Sequence, residues 1–453
     1  MDALPNELLI QIASYLDSEP PSVKKFTHEP SDNLTVSEDQ SLKALSRVSW
    51  RWRNVTIPIL FRFSRIELES DPQWVLVDVR LFENMQSQLG TLSAHEMQIY
   101  QSMMSKLKSS TCSAFEEGSG DLLVEFCRIQ DDDHFLRSSP LTQWFPQLPK
   151  TFQTFATFVS DYGLKRHIES AVVYTNKEYE LRRIARADAS LYYTISDLWN
   201  QIFSCMDPVR LIVAAPPSAL AGLLDTSMLS ADTWAFEMKC HYLELRQLKT
   251  ETPHGHTEGC GRQCGHGLIN IRPWIHVGYN EGSSVTAYST YEYHLKQSPK
   301  ILYLLLVRLC KEVRDCCNIR SFSFIAVFPF STNIVTMIRA LQKVRTLQSL
   351  HFQLAPGQES KLLEDPKRIR RAQLSDLWLE WNESYRAIAR FLALYDFQHD
   401  GEFVSSDCHH SSLSEDVDEN FESLREHGIG WTKTGTGNWK REPDLDVDGF
   451  QLN

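Results

Sequence analysis

"LPNELLIQIASYLD", Leu4 to Asp17, sets the terms for the whole chain. Pro5 suits the first helical position, where a missing N–H costs nothing, and Glu7 puts a negative charge in the positive first turn. Leu8, Leu9, Ile12, Tyr15 and Leu16 then recur on one side of a 3.6-residue helix. The next stretch, Ser18 to Gln40, holds three prolines and four serines with little apolar periodicity, and reads as a loop. Periodicity returns in "SLKALSRVSWRWRNVTIPILF", where Leu42, Leu45, Val48, Trp52 and Val55 keep helical spacing. Ser49 is placed to cap a break between two short helices, and Pro58 to disturb the last turn. The result is a helical unit of about 60 residues with more apolar surface than three short helices can hide among themselves.

The pattern Leu-Pro-x-Glu-Leu-Leu-x-x-Ile-x-x-Tyr-Leu, followed by Leu-x-x-Leu-x-x-Val-x-x-x-Trp, resembles the F-box. This is the module by which substrate receptors dock on the Skp adaptor of cullin-RING ubiquitin ligases. The resemblance spans Leu4 to about Phe61. It implies that Leu4, Pro5, Leu8, Leu9, Ile12 and Leu16, with Leu42, Leu45, Val48 and Trp52, supply the adaptor-facing and internal packing, two sets that the sequence leaves undivided. The partners it implies are a Skp-family adaptor, through it a cullin scaffold, and an unknown client. The chain itself would be a non-catalytic receptor subunit. One departure is the long Ser18–Gln40 insertion between the first two helices. Loop closure costs only the logarithm of length, so the insertion is compatible with docking.

Beyond the helices, "FSRIEL" places Phe63, Ile66 and Leu68 in L-x-x-L-x-L, the strand signature of a leucine-rich repeat. "VRLIVA" (from Val209), "IRSFSF" (from Ile319) and "LQSLHF" (from Leu347) fit loosely. The last two start 28 residues apart, with "NIVTMIRALQKV" at helical spacing between them, one strand-helix-strand unit. An unrelated α/β domain that meets a permissive pattern by chance is the alternative. Long helices are expected within 177–206 and 374–397. Ser, Asp and Glu dominate 401–420, which reads as mobile, and "GIGWTKTGTGNWKRE" reads as a hairpin. The expected fold class is therefore α/β: an N-terminal three-helix F-box over 1–62 with the insertion 18–40, an irregular leucine-rich-repeat-like α/β domain over 63–400, and an acidic, partly disordered C-terminal segment over 401–453 with a hairpin over 428–442.

Composition sets the surroundings. The 453 residues are 42% apolar and 11% aromatic, enough for a sizeable core. Ten scattered cysteines fit a reducing compartment, and no secretory signal or membrane span is expected, so the expected setting is cytoplasmic, nuclear or both. Of the net charge of −12, residues 400–453 carry −9, with 13 acidic against 4 basic side chains. The rest lacks the basic excess that grips phosphate backbones, which excludes nucleic acid as an expected ligand.

One stretch has the residue types of a metal centre: "HGHTEGCGRQCGHG", with His254, His256, Cys260, Cys264 and His266, preceded by Cys240 and His241. Cys-x-x-x-Cys lies within structural zinc spacing, but a second separated pair is missing. The expectation is no cofactor, with a structural zinc or a metal-dependent enzyme as alternatives. "HEMQI" at His95 has Ile99 where a second zinc-binding histidine would stand, "EGSGD" lacks nucleophile-elbow spacing, and Cys316-Cys317 has no nearby histidine.

Overall fold

The computed structural model describes residues 4–37, 40–69, 72–74, 142–144, 146–177, 187–226, 228, 231–249, 267–312, 318–397, 401–426 and 430–441, with isolated positions between 94 and 101. Among them are thirteen α-helices and twelve strands. The strands are β1 (Phe63–Glu67), β2 (Pro72–Trp74), β3 (Thr142–Trp144), β4 (Ser170–Tyr174), β5 (Arg210–Ala215), β6 (His241–Gln247), β7 (Trp274–Ser283), β8 (Ser321–Val327), β9 (Ser349–Gln353), β10 (Glu402–Ser405), β11 (Trp431–Gly435) and β12 (Asn438–Arg441). Ten form one sheet in the order β1-β4-β5-β6-β7-β8-β9-β10-β12-β11, nearly chain order. Most neighbours are parallel, while β6 and β12 run against both of theirs. β2 and β3 pair apart from it. The four segments fitted to L-x-x-L-x-L all lie in this sheet, as β1, β5, β8 and β9.

Side chains alternate across a strand, so each strand offers a residue to each face. On the first face Ile66, Val173, Val213, Leu243, Tyr279, Phe324, Phe352 and Phe403 share one large core with the helices. The contributing helices include Ala187–Cys205, Ile301–Glu312, Ser331–Leu341 and Leu374–Leu394. No helix among the described residues is long and apolar enough to cross a membrane.

Residues 401–420, expected to be mobile from their composition, fall within regular elements. These include β10 and the helix Ser411–Glu426. Their acidity conceals an apolar stripe: Leu413, Val417 and Phe421 stand four residues apart and join the main core. The expected hairpin is β11–β12. It packs back on β10, with Trp431 and Trp439 buried and the Trp439 ring stacked 4.4 Å from that of Phe421.

The N-terminal unit has helices Asn6–Tyr15, Ser41–Leu45 and Trp50–Leu60. Ser49 caps the third by accepting from the Trp52 N–H at 3.3 Å. Pro58 sits within that helix, which continues to Leu60 before ending. Pro5 stands one position earlier than expected, at the N-cap. The insertion differs most from expectation. Residues 18–37 contain a short helix, Pro21–Lys24, and a 3-10 turn, Asp32–Thr35, and they lie as a strap across the second face of the sheet.

Candidate functional site

The helix Asn6–Tyr15 sorts the two sets that the sequence left undivided. Leu9 and Ala13 turn inward onto Trp52 and Val55, and Leu4, Leu42 and Leu45 pack around that small core. Leu9 is 1% exposed and Trp52 7%. Leu8, Ile12 and Leu16 turn outward at 44%, 42% and 38%, and Val48 at 67%. Leu4, Leu9, Leu42, Leu45 and Trp52 are therefore internal, and Pro5, Leu8, Ile12, Leu16 and Val48 face solvent. Tyr15, the remaining residue of the periodic side, is exposed too, as are Ile10 and Trp50, which periodicity did not single out.

The helical unit is fastened to the body in two ways. At its end Arg62 bridges Asp17 (3.1 Å) and Glu169 (2.7 Å), and the Phe61 ring stacks on Phe155 and Phe158. In its middle, the strap inserts Phe26 and Leu34 among Val172, Ile212, Ala214, Tyr242 and Ile325 of the second face. The Tyr242 hydroxyl accepts from the Ser31 N–H at 2.6 Å and donates to the Ser31 carbonyl at 2.7 Å. Asn280 Nδ2 donates to the carbonyls of Phe26 (2.6 Å) and His28 (2.8 Å). Gly282, at φ +86°, sits beside a β7 irregularity, and a Cβ there would meet Pro30 Cδ of the strap at 3.3 Å. Arg368 pairs with Glu29 at the strap's edge.

The rest of the second face is polar. Arg210, Arg246, His276, Ser321, Ser349, Glu402 and Lys440 stand side by side in register across seven strands. In the next row Glu244 is bonded by Arg210 and by Arg246 (2.9 Å). Burial pushes its carboxyl up, but His276 and the two guanidiniums outweigh this and hold it well below the usual carboxylate range. Gly278 leaves the room: a Cβ there would lie 3.0 Å from Glu244 Oε2. Ser323 and Ser406 hold His351 at 2.8 and 2.7 Å, and burial, with His276 and His409 nearby, lowers its pKa to about 4, so it is neutral at pH 7.

Glu244, His276 and Ser321 form a carboxylate, imidazole, hydroxyl series. His276 Nε2 is 3.4 Å from Glu244 Oε2, an electrostatic contact longer than a formed hydrogen bond, and Nδ1 is 2.9 Å from Ser321 Oγ. Nucleophilic catalysis also needs donors aimed at a developing oxyanion. Ser321 opens β8, paired with His276 of β7 on one side and Ser349 of β9 on the other. The series links β6, β7 and β8 through side chains. Its sequence signal was available in "HYLELRQ", where Tyr242, Glu244 and Arg246 alternate with apolar residues.

No family model, curated protein or solved structure matches this chain.

His254, His256, Cys260, Cys264 and His266 lie outside the described residues, as do His95 and Cys316-Cys317. Cys240 and His241, noted ahead of them, are buried at the start of β6. His241 Nδ1 is 2.6 Å from the Tyr279 hydroxyl, and Nε2 lies 3.2 Å from Met238 Sδ. Burial lowers the His241 pKa to about 3 and raises that of Cys240 to about 12.

Proposed function

We propose that the chain is an F-box substrate-recognition subunit. Its N-terminal helical unit docks on a Skp-family adaptor, and its body presents a client protein for ubiquitination by a cullin-RING ligase. The observation that carries this reading is the outward stripe of Leu8, Ile12, Leu16 and Val48, exposed while the alternate positions close a small core of their own. It falls on residues of the F-box-like pattern, and an apolar helix face laid into a partner's groove is a recurring recognition mode. The mechanism is proximity: the receptor raises the client's effective concentration near a charged conjugating enzyme and makes no bond itself. An irregular leucine-rich-repeat-like body fits strands in near chain order with helices on one face, β6 and β12 being the irregularities. A cytoplasmic or nuclear setting follows from the partners.

The test is co-purification with a Skp adaptor, comparing the intact chain with L8D/I12D. Both positions are exposed, so the variant should keep its thermal midpoint, while lost anchors cost about 2 kcal/mol or more each, enough to abolish a pull-down. Adaptor binding that survives in the variant, or that is absent from the intact chain, would overturn the reading. Cullin in the same eluate separates a ligase subunit from an F-box protein that works without one.

A further inference from the structure

A cleft of ≈ 540 Å³ opens past the carboxyl ends of β9 and β10, between the helices Leu374–Leu394 and Ser411–Glu426. The volume is that of a ligand site rather than a packing defect. Its aromatic wall is Trp378 and Trp381, ring centroids 5.9 Å apart and nearly perpendicular, and Leu413 supplies an aliphatic side. The wall is pre-set from behind. Asp407, fully buried, accepts from Trp381 Nε1 (2.9 Å), from the Tyr385 hydroxyl (2.8 Å) and from the Leu354 and Ala355 N–H groups. The Trp378 ring meets Phe328 edge-on at 4.8 Å.

The charge of the lining is one-sided. Asp416, exposed, is its one carboxylate, no lysine or arginine is among the lining residues, and His410 is the one imidazole there. The first turn of Ser411–Glu426 also borders the cleft through Ser412 and Leu413, with N–H groups that have no acceptor inside their own helix. That helix end is worth about half a positive charge, less than the full negative charge of Asp416, so a bound anion is disfavoured. What the lining does suit is a cation against the half-buried Trp378 ring, which the fully buried Trp381 backs, together with a neutral acceptor for the helix-end N–H groups. A peptide supplies both, a basic side chain and a main-chain carbonyl. Arginine fits better than lysine, because its planar guanidinium stacks on rings while its stem lies along Leu413.

We infer that this cleft binds an arginine side chain presented by a peptide segment of another protein. Its place as the client-recognition site rests on the receptor reading above; the binding chemistry does not.

The experiment uses the full-length chain and fluorescein-labelled nonapeptide pools, degenerate except for a fixed central Arg, Lys, Glu or Leu, read by fluorescence polarisation. The Arg pool should bind best and weaken with salt, and the Glu pool should fail. D416N, at an exposed site, should weaken the Arg pool at least five-fold with an unchanged thermal midpoint, and W378F, which replaces the indole with a smaller ring, should weaken it at least five-fold too. Arginine amide should compete only far above the peptide concentration. Equal binding of the Glu or Leu pool, Arg binding indifferent to both substitutions, no binding by any pool, or arginine amide as effective as peptide would each overturn the inference. Adaptor pull-down is a separate readout, so either assignment can fail alone.

Discussion

Glu281, near the end of β7, is buried within the fold, bonded by Asn333 Nδ2 at 2.9 Å and by Ser298, while its Oε1 makes no hydrogen bond. Burial, only partly offset by these two donors, pushes its pKa up to about 7. An unfolded glutamate titrates near 4.3, so the native state holds this proton more tightly than the unfolded chain does. The stability linked to it is complete below about 4.3 and is lost as pH rises through about 7. Glu281→Gln keeps the shape and adds a donor, and should abolish this part of the pH dependence. Urea denaturation at pH 8.5 should find the variant more stable by up to about 3 kcal/mol, with the advantage vanishing near pH 4. Parallel curves for both proteins across that range would show that Glu281 does not titrate there. Glu244 on the opposite face has the reverse sign: held low by its cations, it supports the fold above the ordinary carboxylate range and fails in acid.

Among elements, the strap gives the sharpest contrast between sequence and structure. Pattern reading finds helices and strands by repetition, and Ser18–Gln40 has little, so Phe26 and Leu34 carry no periodic signal within that stretch. They are buried because the sheet offers an apolar patch on its second face, a fact written two hundred residues downstream in Tyr242 and Asn280. The helix Ser331–Leu341 and the strands β8 and β9 were legible for the opposite reason: their spacing is local and complete within one unit. The outward stripe was half legible, since periodicity identified the apolar positions but only packing divided Leu8 from Leu9. If Tyr242 and Asn280 hold the strap, Tyr242→Phe combined with Asn280→Ala removes the four hydrogen bonds to it, each worth about 1 kcal/mol, besides the one Asn280 Oδ1 accepts from the Gly282 N–H. Trypsin should then cut at Lys24 and Lys25 well before the body unfolds, whereas the native chain should resist there until global unfolding. Equal cleavage rates would mean that Phe26 and Leu34 alone anchor it.

At the scale of the whole molecule, a sheet built in chain order has two ends to protect, since unpaired edges template aggregation. At the C-terminal end β10 is covered by β12 and the hairpin, and Phe403 stacks against Phe421 and Trp439. Ending the chain after Glu426 would bare that edge and remove two buried tryptophans. Truncation of large core aromatics costs about 3–5 kcal/mol each. The shortened protein should melt at least several degrees lower in calorimetry and elute partly as aggregate; an unchanged midpoint would show that the hairpin is dispensable.

The strap also imposes a timetable on synthesis. The helical unit leaves the ribosome before the body, yet the Asn280 side chain that ties the strap is 254 residues behind Phe26. At about 5–20 residues per second, the strap waits roughly 10–50 s for its anchor. During that interval the nascent chain exposes Phe26, Leu34 and the stripe of Leu8 and Ile12 together, so a chaperone meets the stripe while its orientation to the body is still unset.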